Sequence, residues 1–497
     1  MIRFSPLPND AHIIPWREWS DEAFALARTE DKPVALFLGA FWCRFCQRMD
    51  EQAFSDTEVI ALLNAYFIPL RVDYMQRPDV DARYNLNGWP TIAFMTPNGQ
   101  LLAAGNYMPA DQFKEWLIDV YMTYEQRKEE LRGHEQIADQ SQAQARQLVD
   151  AQLKANLAHI TDVVMALADR THGGYDRGQK FIHPQVNDFL LARYEATDDR
   201  QYLDQVCLTL ERMRAGELYD HQGGAYFRTS SNPDWSHPHR EKLLLEEAGL
   251  LSNCLTVFRI TQRDEYRRMA EEIIQYLDAK LYDPGNGAFY GCEDWLRHEP
   301  PTTDGDEFFT IIDRCIYTDA NALASAAYLD AALLLDQTRH HDRGLAVLEF
   351  LWQHCRSDSG AMVHYFDSAP QVPAWLQDQA QMGMALLRAY EVTGDIDFLA
   401  RARALAEFIL TELKNPFGGF YDICAQDCAS LTPRLTLIEQ NGAAASFFLR
   451  LAHDSNDEQY RAAAEHALSA FVGNFDAFGV HVAPFGRALD QLRQPSK

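Results

Sequence analysis

The sequence predicts two domains, a small α/β domain followed by a larger all-α domain. Three observations support this prediction. Short apolar runs alternate with helical segments up to residue 125, helical periodicity dominates from residue 126, and glycine-aromatic loops recur in that second half at intervals of 50 to 73 residues. We therefore expect an α/β domain at 1–125, a helical connector at 126–155 and an all-α domain at 156–497.

The elements of the first domain follow from these alternating patterns. Apolar, β-branched runs predict strands at 34–39, 67–73, 91–96 and 101–105. Helices are predicted at 19–30, directly after Cys46, from Asp56, near 79–84 and from Pro109; Asp56 is a predicted N-cap because its carboxylate can accept the first amide protons. This order of strands and helices predicts an α/β sandwich of thioredoxin size.

The motif FWCRFC at 41–46 follows a strand and opens a helix. A thiol at a helix N-terminus meets free N–H groups and the positive end of the dipole, so Cys43 is the predicted nucleophile and Cys46, one turn on, the resolving thiol. Pro90, before the next strand, occupies the place where a cis-proline would pack beside such a dithiol. Half of a zinc site is the alternative, but no second CxxC completes it, and Cys424 and Cys428 lie far away in the sequence.

Two kinds of connection alternate in the helical half. Short polar turns, such as TDDRQ at 197–201, alternate with longer loops marked by glycine and an aromatic or apolar residue. The marker glycines are Gly174, Gly224, Gly287, Gly360, Gly419 and Gly479. Six markers separating eleven or twelve helices predict a closed (α/α)6 toroid, with all the long loops on one rim; two unrelated helical domains are the alternative.

The long-loop rim is the predicted position of any ligand site. Aromatic rings beside carboxylates and imidazoles suit a sugar, because a pyranose stacks on a ring while acids bind its hydroxyls. The candidate ligand-binding residues are Trp235, His239, Glu241, Lys242 and Asp378. In the alternative interpretation these residues cap helices or form ion pairs. The rim has no closed metal-ligand spacing and no phosphate-binding loop, so we expect neither a metal nor a cofactor.

Both halves of the sequence resemble the DUF255 family. The residues that carry the resemblance are WCRFCQRM (42–49), VDYMQRPDVDARY (72–84), GWP (88–90), QKFIHP (179–184) and the stretch from Gly216 to Ala248. The family implies a thioredoxin-like domain joined to a six-hairpin glycosidase-like toroid. This chain departs from the family in having Arg44 and Gln47 where histidines are usual, and GCEDWL (291–296) in place of an acidic loop.

Composition limits the partners and the setting. The chain of 497 residues is 47% hydrophobic and 24% charged, as in globular proteins. Its formal charge of −27 disfavours binding to a phosphate backbone, so no nucleic-acid partner is expected. No run approaches the ~18 apolar residues of a membrane span, no secretory signal is recognisable at the N-terminus, and nine thinly spread cysteines favour the reducing cytoplasm.

The leading functional expectation is thiol–disulfide exchange by Cys43 and Cys46, with Pro90 shaping a groove for a substrate peptide. The toroid would supply specificity for a protein disulfide or a small-molecule substrate. Two alternatives stay open at this point. One is a carbohydrate-active enzyme, epimerase-like or hydrolase-like, with an accessory thioredoxin fold; the other is a non-enzymatic, redox-sensitive scaffold.

Overall fold

The computed structural model describes residues 2–132, 150–297, 308–371, 374–425, 433–471, 473 and 475–493. They divide into two compact units. The first contains residues up to 132 together with 425, 433 and 434, and the second contains the others. Cys428 and most of the predicted connector lie outside the described residues.

The first unit is a four-stranded sheet with helices. Its strands are β1 (Val34–Gly39), β2 (Ile68–Asp73), β3 (Thr91–Met95) and β4 (Leu101–Gly105). The helices are α1 (Asp21–Glu30), α2 (Arg44–Glu51), α3 (Thr57–Tyr66), α4 (Pro78–Tyr84) and α5 (Ala110–Arg132). The strand order is β2-β1-β3-β4, with β1 and β2 parallel and the other pairs antiparallel. The thioredoxin-like fold predicted from the sequence is confirmed.

Local chemistry sets the ends of these helices. Ser20 caps α1 through its hydroxyl, and Asp56 caps α3 by accepting the N–H groups of Glu58 and Val59, as its sequence position predicts. β1 is buried along its whole length, as expected for a central strand covered on both faces. Because β1 leads into α2, the motif cysteines stand at the carboxyl end of the central strand.

The second unit contains twelve α-helices in the described part of the chain. They are α6 (Asp150–Leu167), α7 (Pro184–Thr197), α8 (Arg200–Ala215), α9 (Leu244–Thr261), α10 (Asp264–Tyr276), α11 (Thr318–Leu334), α12 (Thr338–His354), α13 (Leu376–Thr393), α14 (Ile396–Phe408), α15 (Ile438–Ser455), α16 (Glu458–Ser469) and α17 (Ala483–Arg493). The inner helices are α7, α9, α11, α13, α15 and α17: each packs on the next, and α17 packs on α7. This closed inner ring confirms the predicted (α/α)6 toroid.

The marker glycines all have backbone angles that favour glycine. Their φ values run from 53° at Gly479 to 88° at Gly360, a region that other residues rarely adopt. In most of the long loops a glycine N–H closes a tight turn onto the carbonyl of an Asp, Asn or Ser three or four residues earlier, as Gly224 does onto Asp220. Gly479 differs, because it lies in a 3-10 helix, Asp476–Val482, that leads directly into α17.

The long loops also carry short strands that the sequence did not predict. They are β5 (Lys180–Phe181), β6 (Thr229–Ser230), β7 (Pro238–His239), β8 (Glu241–Leu243), β9 (Tyr282–Asp283), β10 (Ala288–Phe289), β11 (Cys292–Arg297), β12 (Phe308–Asp313), β13 (Ile316–Tyr317), β14 (Tyr365–Phe366) and β15 (Pro370–Gln371). Most are too short to give a periodic signal. β8, β11 and β12 form an antiparallel sheet that fixes Glu241 and Lys242 before α9 begins.

Candidate functional site

The two motif cysteines occupy the N-terminus of α2. Cys43 is the N-cap residue, and its Sγ accepts a hydrogen bond of 3.2 Å from the N–H of Cys46. Both are thiols, and Cys43 keeps only 6% of its surface exposed. A sulfur that accepts an amide proton at a helix N-terminus is held in the arrangement that stabilises a thiolate.

Cys46 is also buried, with 3% of its surface exposed. Burial raises the pKa of the Cys46 thiol well above its usual range, and the neighbouring Cys43 raises it further. The guanidinium of Arg71 acts in the opposite direction and lowers it. Burial therefore favours the protonated form of Cys46 in the dithiol.

Arg71 belongs to a buried ion pair. Its guanidinium donates to both carboxylate oxygens of Asp50, at 2.7 and 2.8 Å, and lies over the rings of Phe4 and Phe37. Burial raises the pKa of Asp50, while Arg71 lowers it. The residue pattern gives no sign of this pair, because Asp50 and Arg71 come from α2 and β2 and meet only in the folded unit.

Aromatic rings and a cis peptide bond form the other side of the dithiol region. The rings of Trp42, Tyr74 and Trp89 pack together, with centroids 4.4 to 5.8 Å apart. The Trp89-Pro90 bond is cis. Asn106 donates to the carbonyl of Pro90 at 3.2 Å, and Trp89 Nε1 donates to Asp81 at 2.8 Å. These contacts fix the loop that ends at Pro90.

In the toroid, Glu241 and Lys242 are engaged with other side chains. Glu241 accepts from Arg228 at 2.9 Å. Lys242 is fully buried, and its Nζ donates to Asp220 and to the carbonyl of Gly224, both at 2.7 Å. This outcome matches the ion-pair interpretation of these residues. The prediction that Lys242 binds a ligand needs correction, since its ammonium is enclosed by protein groups.

Trp235 and His239 differ in their exposure. Trp235 is 1% exposed, its Nε1 donates to the carbonyl of His172, and its ring packs flush against Gly174. The expectation that this ring stacks on a ligand is therefore wrong, because neither face is open. His239 is exposed on β7 and lies 3.3 Å from the hydroxyl of Ser231.

Asp378 lies in a compact polar cluster at the start of α13. His364 Nδ1 is 3.0 Å from both of its carboxylate oxygens, and the N–H of Asp319 donates to one of them at 3.2 Å. Burial raises the pKa of Asp378 to about 6, a rise that His364 opposes. Within the described ranges these three residues offer ligand atoms within 4.8 Å of one another, a group that could hold a metal ion. Sequence spacing could not reveal it, because the residues come from three elements.

Glu247 is a second buried acid of the toroid. One of its oxygens accepts from the N–H of Tyr226 at 2.7 Å, and the other has no hydrogen-bond partner. Burial raises the pKa of Glu247 to about 8, while Lys242 lowers it. The preceding residue, Glu246, also has its pKa raised by burial, to about 7. Both carboxyl groups begin α9 on the same rim as Asp378.

Together these features define a class: a thioredoxin-like domain with a helix-capping dithiol, joined to an (α/α)6 toroid. Residues 7–143 match the family described as Thioredox_DsbH, Protein of unknown function, DUF255. This match over the N-terminal region agrees with the resemblance that the sequence motifs carry.

Curated relatives agree with this assignment. Spermatogenesis-associated protein 20 of Homo sapiens is 30% identical over 305 residues, which cover 56% of this chain and 39% of the relative. An uncharacterized protein of Caenorhabditis elegans is 26% identical, over 80% of this chain and 62% of its own length. Disulfide bond reductase DsbH of Chlamydia pneumoniae is 25% identical over 20% of this chain and 68% of its own. The chain spans about two fifths of the human relative.

Solved structures resemble the toroid. Cellobiose 2-epimerase from Spirochaeta thermophila covers 70% of this chain and 98% of its own, with a TM-score of 0.55 and 14% identity. A family 76 mannosidase from Bacteroides thetaiotaomicron covers 68% of this chain and 97% of its own, with a TM-score of 0.50 and 14% identity. At such identities the likeness establishes the fold alone. Among the described helices, none combines the length and apolarity needed to cross a membrane.

Proposed function

We propose that the protein is a thiol–disulfide oxidoreductase acting through Cys43 and Cys46. The observation that carries the proposal is the position of Cys43 as the cap of α2, where its sulfur accepts the N–H of Cys46. The similarity of 114 residues to a disulfide bond reductase supports it. We further propose a reducing, cytoplasmic setting, as the thin spread of cysteines indicates.

The proposed reaction uses the cap thiol of α2 first and the second motif thiol afterwards. The Cys43 thiolate attacks one sulfur of a substrate disulfide, forms a mixed disulfide and expels the other substrate sulfur as a thiolate. Cys46 then loses its proton and attacks Cys43 Sγ, which releases the second substrate thiol. The enzyme is left with a Cys43–Cys46 disulfide, which an external dithiol reduces again. Pro90 borders the groove in which the substrate peptide would lie.

Redox titration of the pair tests this proposal. We expect the dithiol to oxidise reversibly in glutathione buffers, with a potential between about −270 and −120 mV, the range of working oxidoreductases. Thiol trapping and peptide mass spectrometry report the state of each cysteine. Cys46→Ser should accumulate a mixed disulfide on Cys43, Cys43→Ser should accumulate none, and Cys207→Ser should behave as wild type. A pair that never closes would refute the proposal.

A second candidate function is the binding or turnover of a carbohydrate on the rim of the toroid. The cluster of Asp319, His364 and Asp378 favours it, because the half-buried Asp319 could bind a hydroxyl while the buried His364 and Asp378 behind it could exchange protons. Exposed His239 and neighbouring Glu241 could add contacts. The test is calorimetric titration with mannose and cellobiose: binding that Asp378→Asn abolishes and Cys43→Ser preserves would support this function. A partner retained only by oxidised protein, without turnover, would instead support a redox-sensitive scaffold.

A further inference from the structure

We propose that Phe45, Tyr107 and Arg48 form a docking patch for a protein disulfide whose cysteine is flanked by an apolar residue and an acidic residue. This inference rests on the proposed function, since the patch adjoins the nucleophile. It goes further by stating the chemistry of the partner. These three residues form the docking patch.

Phe45 is a large apolar side chain that the fold leaves open. It lies between the two motif cysteines on the first turn of α2, yet 48% of its surface is exposed. The two cysteines beside it are buried. Because Phe45 lies between the two motif cysteines in sequence, a partner bound at Cys43 could cover its ring, which would remove apolar surface from water.

The ring of Phe45 is held in place. It packs on the ring of Tyr107, with centroids 5.3 Å apart, and the Arg48 guanidinium lies 5.6 Å from its centroid. The hydroxyl of Tyr107 donates to Gln52 at 3.0 Å, which ties the segment after β4 to the end of α2. A side chain fixed in this way loses little conformational freedom on binding, as befits a contact surface.

The patch continues toward the loop that ends at Pro90. Asn106, the neighbour of Tyr107, donates to the carbonyls of Leu86 and Pro90, both at 3.2 Å. Leu86 is itself a large apolar side chain with 42% of its surface exposed. Exposed apolar surface is thus available at both Phe45 and Leu86, which are linked through Tyr107 and Asn106, and an extended peptide could contact both.

The positive charge of Arg48 favours peptides that carry an acidic residue beside the substrate cysteine. The chain carries a formal charge of −27, so most of its surface repels acidic segments. Arg48 is an exposed exception: its guanidinium lies over the ring of Phe45 and forms no ion pair within the part of the chain that the structure describes. An acidic residue next to the substrate cysteine would complement Arg48, while a basic one would meet no partner there.

The experiment compares two peptide disulfides with a small one. Reduced protein is mixed with hydroxyethyl disulfide or with one of two pentapeptides whose cysteine is disulfide-bonded to 2-mercaptoethanol. The pentapeptides are Gly-Leu-Cys-Glu-Gly and Gly-Gly-Cys-Lys-Gly. We expect the first peptide to react about tenfold faster than the second, a difference of about 1.4 kcal/mol. In Phe45→Ser, the rate with the first peptide divided by the rate with hydroxyethyl disulfide should fall about tenfold, because an aromatic contact to the peptide would be lost. Arg48→Ala should lose the preference for the acidic residue and its salt dependence.

Tyr66→Ser is the matched control, because Tyr66 is an exposed aromatic residue on α3. It should leave all ratios unchanged. Equal rates for the two peptides, or a ratio that Phe45→Ser does not change, would overturn the docking patch while leaving the dithiol chemistry intact. Failure to react with hydroxyethyl disulfide would instead overturn the proposed function. The two failures are therefore distinguishable.

Discussion

Arg71 brings a positive charge into the interior beside Cys46. The guanidinium is enclosed by rings and pairs with the buried carboxylate of Asp50, so neither charge is solvated by bulk water. It lowers the pKa of the Cys46 thiol against the larger effect of burial. The residue therefore has two separable roles, balancing Asp50 and easing the ionisation of the resolving cysteine.

Single and paired substitutions separate these roles. Arg71→Met should destabilise the fold by about 3–5 kcal/mol, because it leaves the Asp50 carboxylate buried without a partner. Arg71→Met combined with Asp50→Leu should recover most of that stability, since a buried pair exchanged for apolar groups is close to neutral. Urea unfolding measures both. In the double variant, the pH dependence of the rate at which Cys46 releases a mixed disulfide from Cys43 should still move to higher pH, because Arg71 no longer lowers the pKa of Cys46. A pH dependence identical to that of the wild type would exclude any effect of Arg71 on Cys46.

At this scale, local placement was predictable from the sequence. The position of the dithiol at the start of α2 could be predicted because a strand, a CxxC and a helix are consecutive, and the cis bond before Pro90 agrees with its expected place. The roles of these residues stay predictions. Sequence reasoning failed for Trp235 and Lys242, whose polar surroundings suggested exposure. The loop folds both inward, and a sequence does not show which residues of a long loop receive buried partners.

A shared contact joins the long loops to the inner helices. Asn321, Gln379 and Asn441 each accept from the N–H of one loop residue and donate to its carbonyl, those residues being Phe289, Met362 and Phe420. Each such pair of hydrogen bonds, called a clamp here, is made by a side chain in the first turns of an inner helix. Glu247 takes the corresponding place in α9, but it accepts only the N–H of Tyr226. A protonated carboxyl group could also donate, as an amide does.

Glu247 should make stability depend on pH. Its pKa is raised from 4.5 to about 8, so the folded protein binds the proton more tightly than the unfolded chain. The resulting stability is complete below pH ~4.5 and is lost as the pH rises through ~8. Glu247→Gln should therefore melt several degrees higher at pH 9 and close to wild type at pH 4.5.

A second substitution in the toroid, which adds an ionisable group where Glu247→Gln removes one, serves as a control. Gln379→Glu should introduce a new loss of stability with rising pH, since it places an ionisable group in an equivalent clamp. Lys242 faces Glu247, and Glu246 precedes it, so both must be kept unchanged in these measurements. If the melting temperatures of wild type and Glu247→Gln changed in parallel between pH 5 and 9, Glu247 would ionise normally and the prediction would be wrong.

Sequence alone could not identify these clamps. The interval from the marker glycine to the clamp residue varies from 19 residues at Gln379 to 34 at Asn321, because the loops differ in length. The glycines themselves were recognisable, since a left-handed turn selects that residue. Thus the turns were predictable, whereas the contacts between loop and helix required the folded ring.

Closure of the toroid depends on close contacts between inner helices. Gly442 on α15 faces the backbone of α17, where an added Cβ would lie 2.5 Å from the nitrogen of Phe485. Arg193 on α7 pairs with Asp490 on α17 at 2.8 Å. These contacts secure α17 on both sides. The number of helices was readable from the repeats, but the tightness of this packing was not.

Gly442→Ala tests the closing contact. In an ordinary helix this change stabilises by up to about 1 kcal/mol. Here we expect the opposite sign, a loss of about 1–3 kcal/mol, because the backbone of α17 would have to move to admit the methyl group. The midpoint of urea unfolding measures the change. A higher midpoint for the alanine variant would mean that the ring tolerates wider spacing there.

The ring also sets an order of events during synthesis. α6, the first described helix of the toroid, packs on α17, the last described helix, and most of the toroid separates them in sequence. On the ribosome, α6 therefore emerges long before this packing partner exists. Its surface toward α17 must remain uncovered, or be shielded by a chaperone, until α17 has been synthesised, and nascent chains that stall before that point should be the aggregation-prone ones.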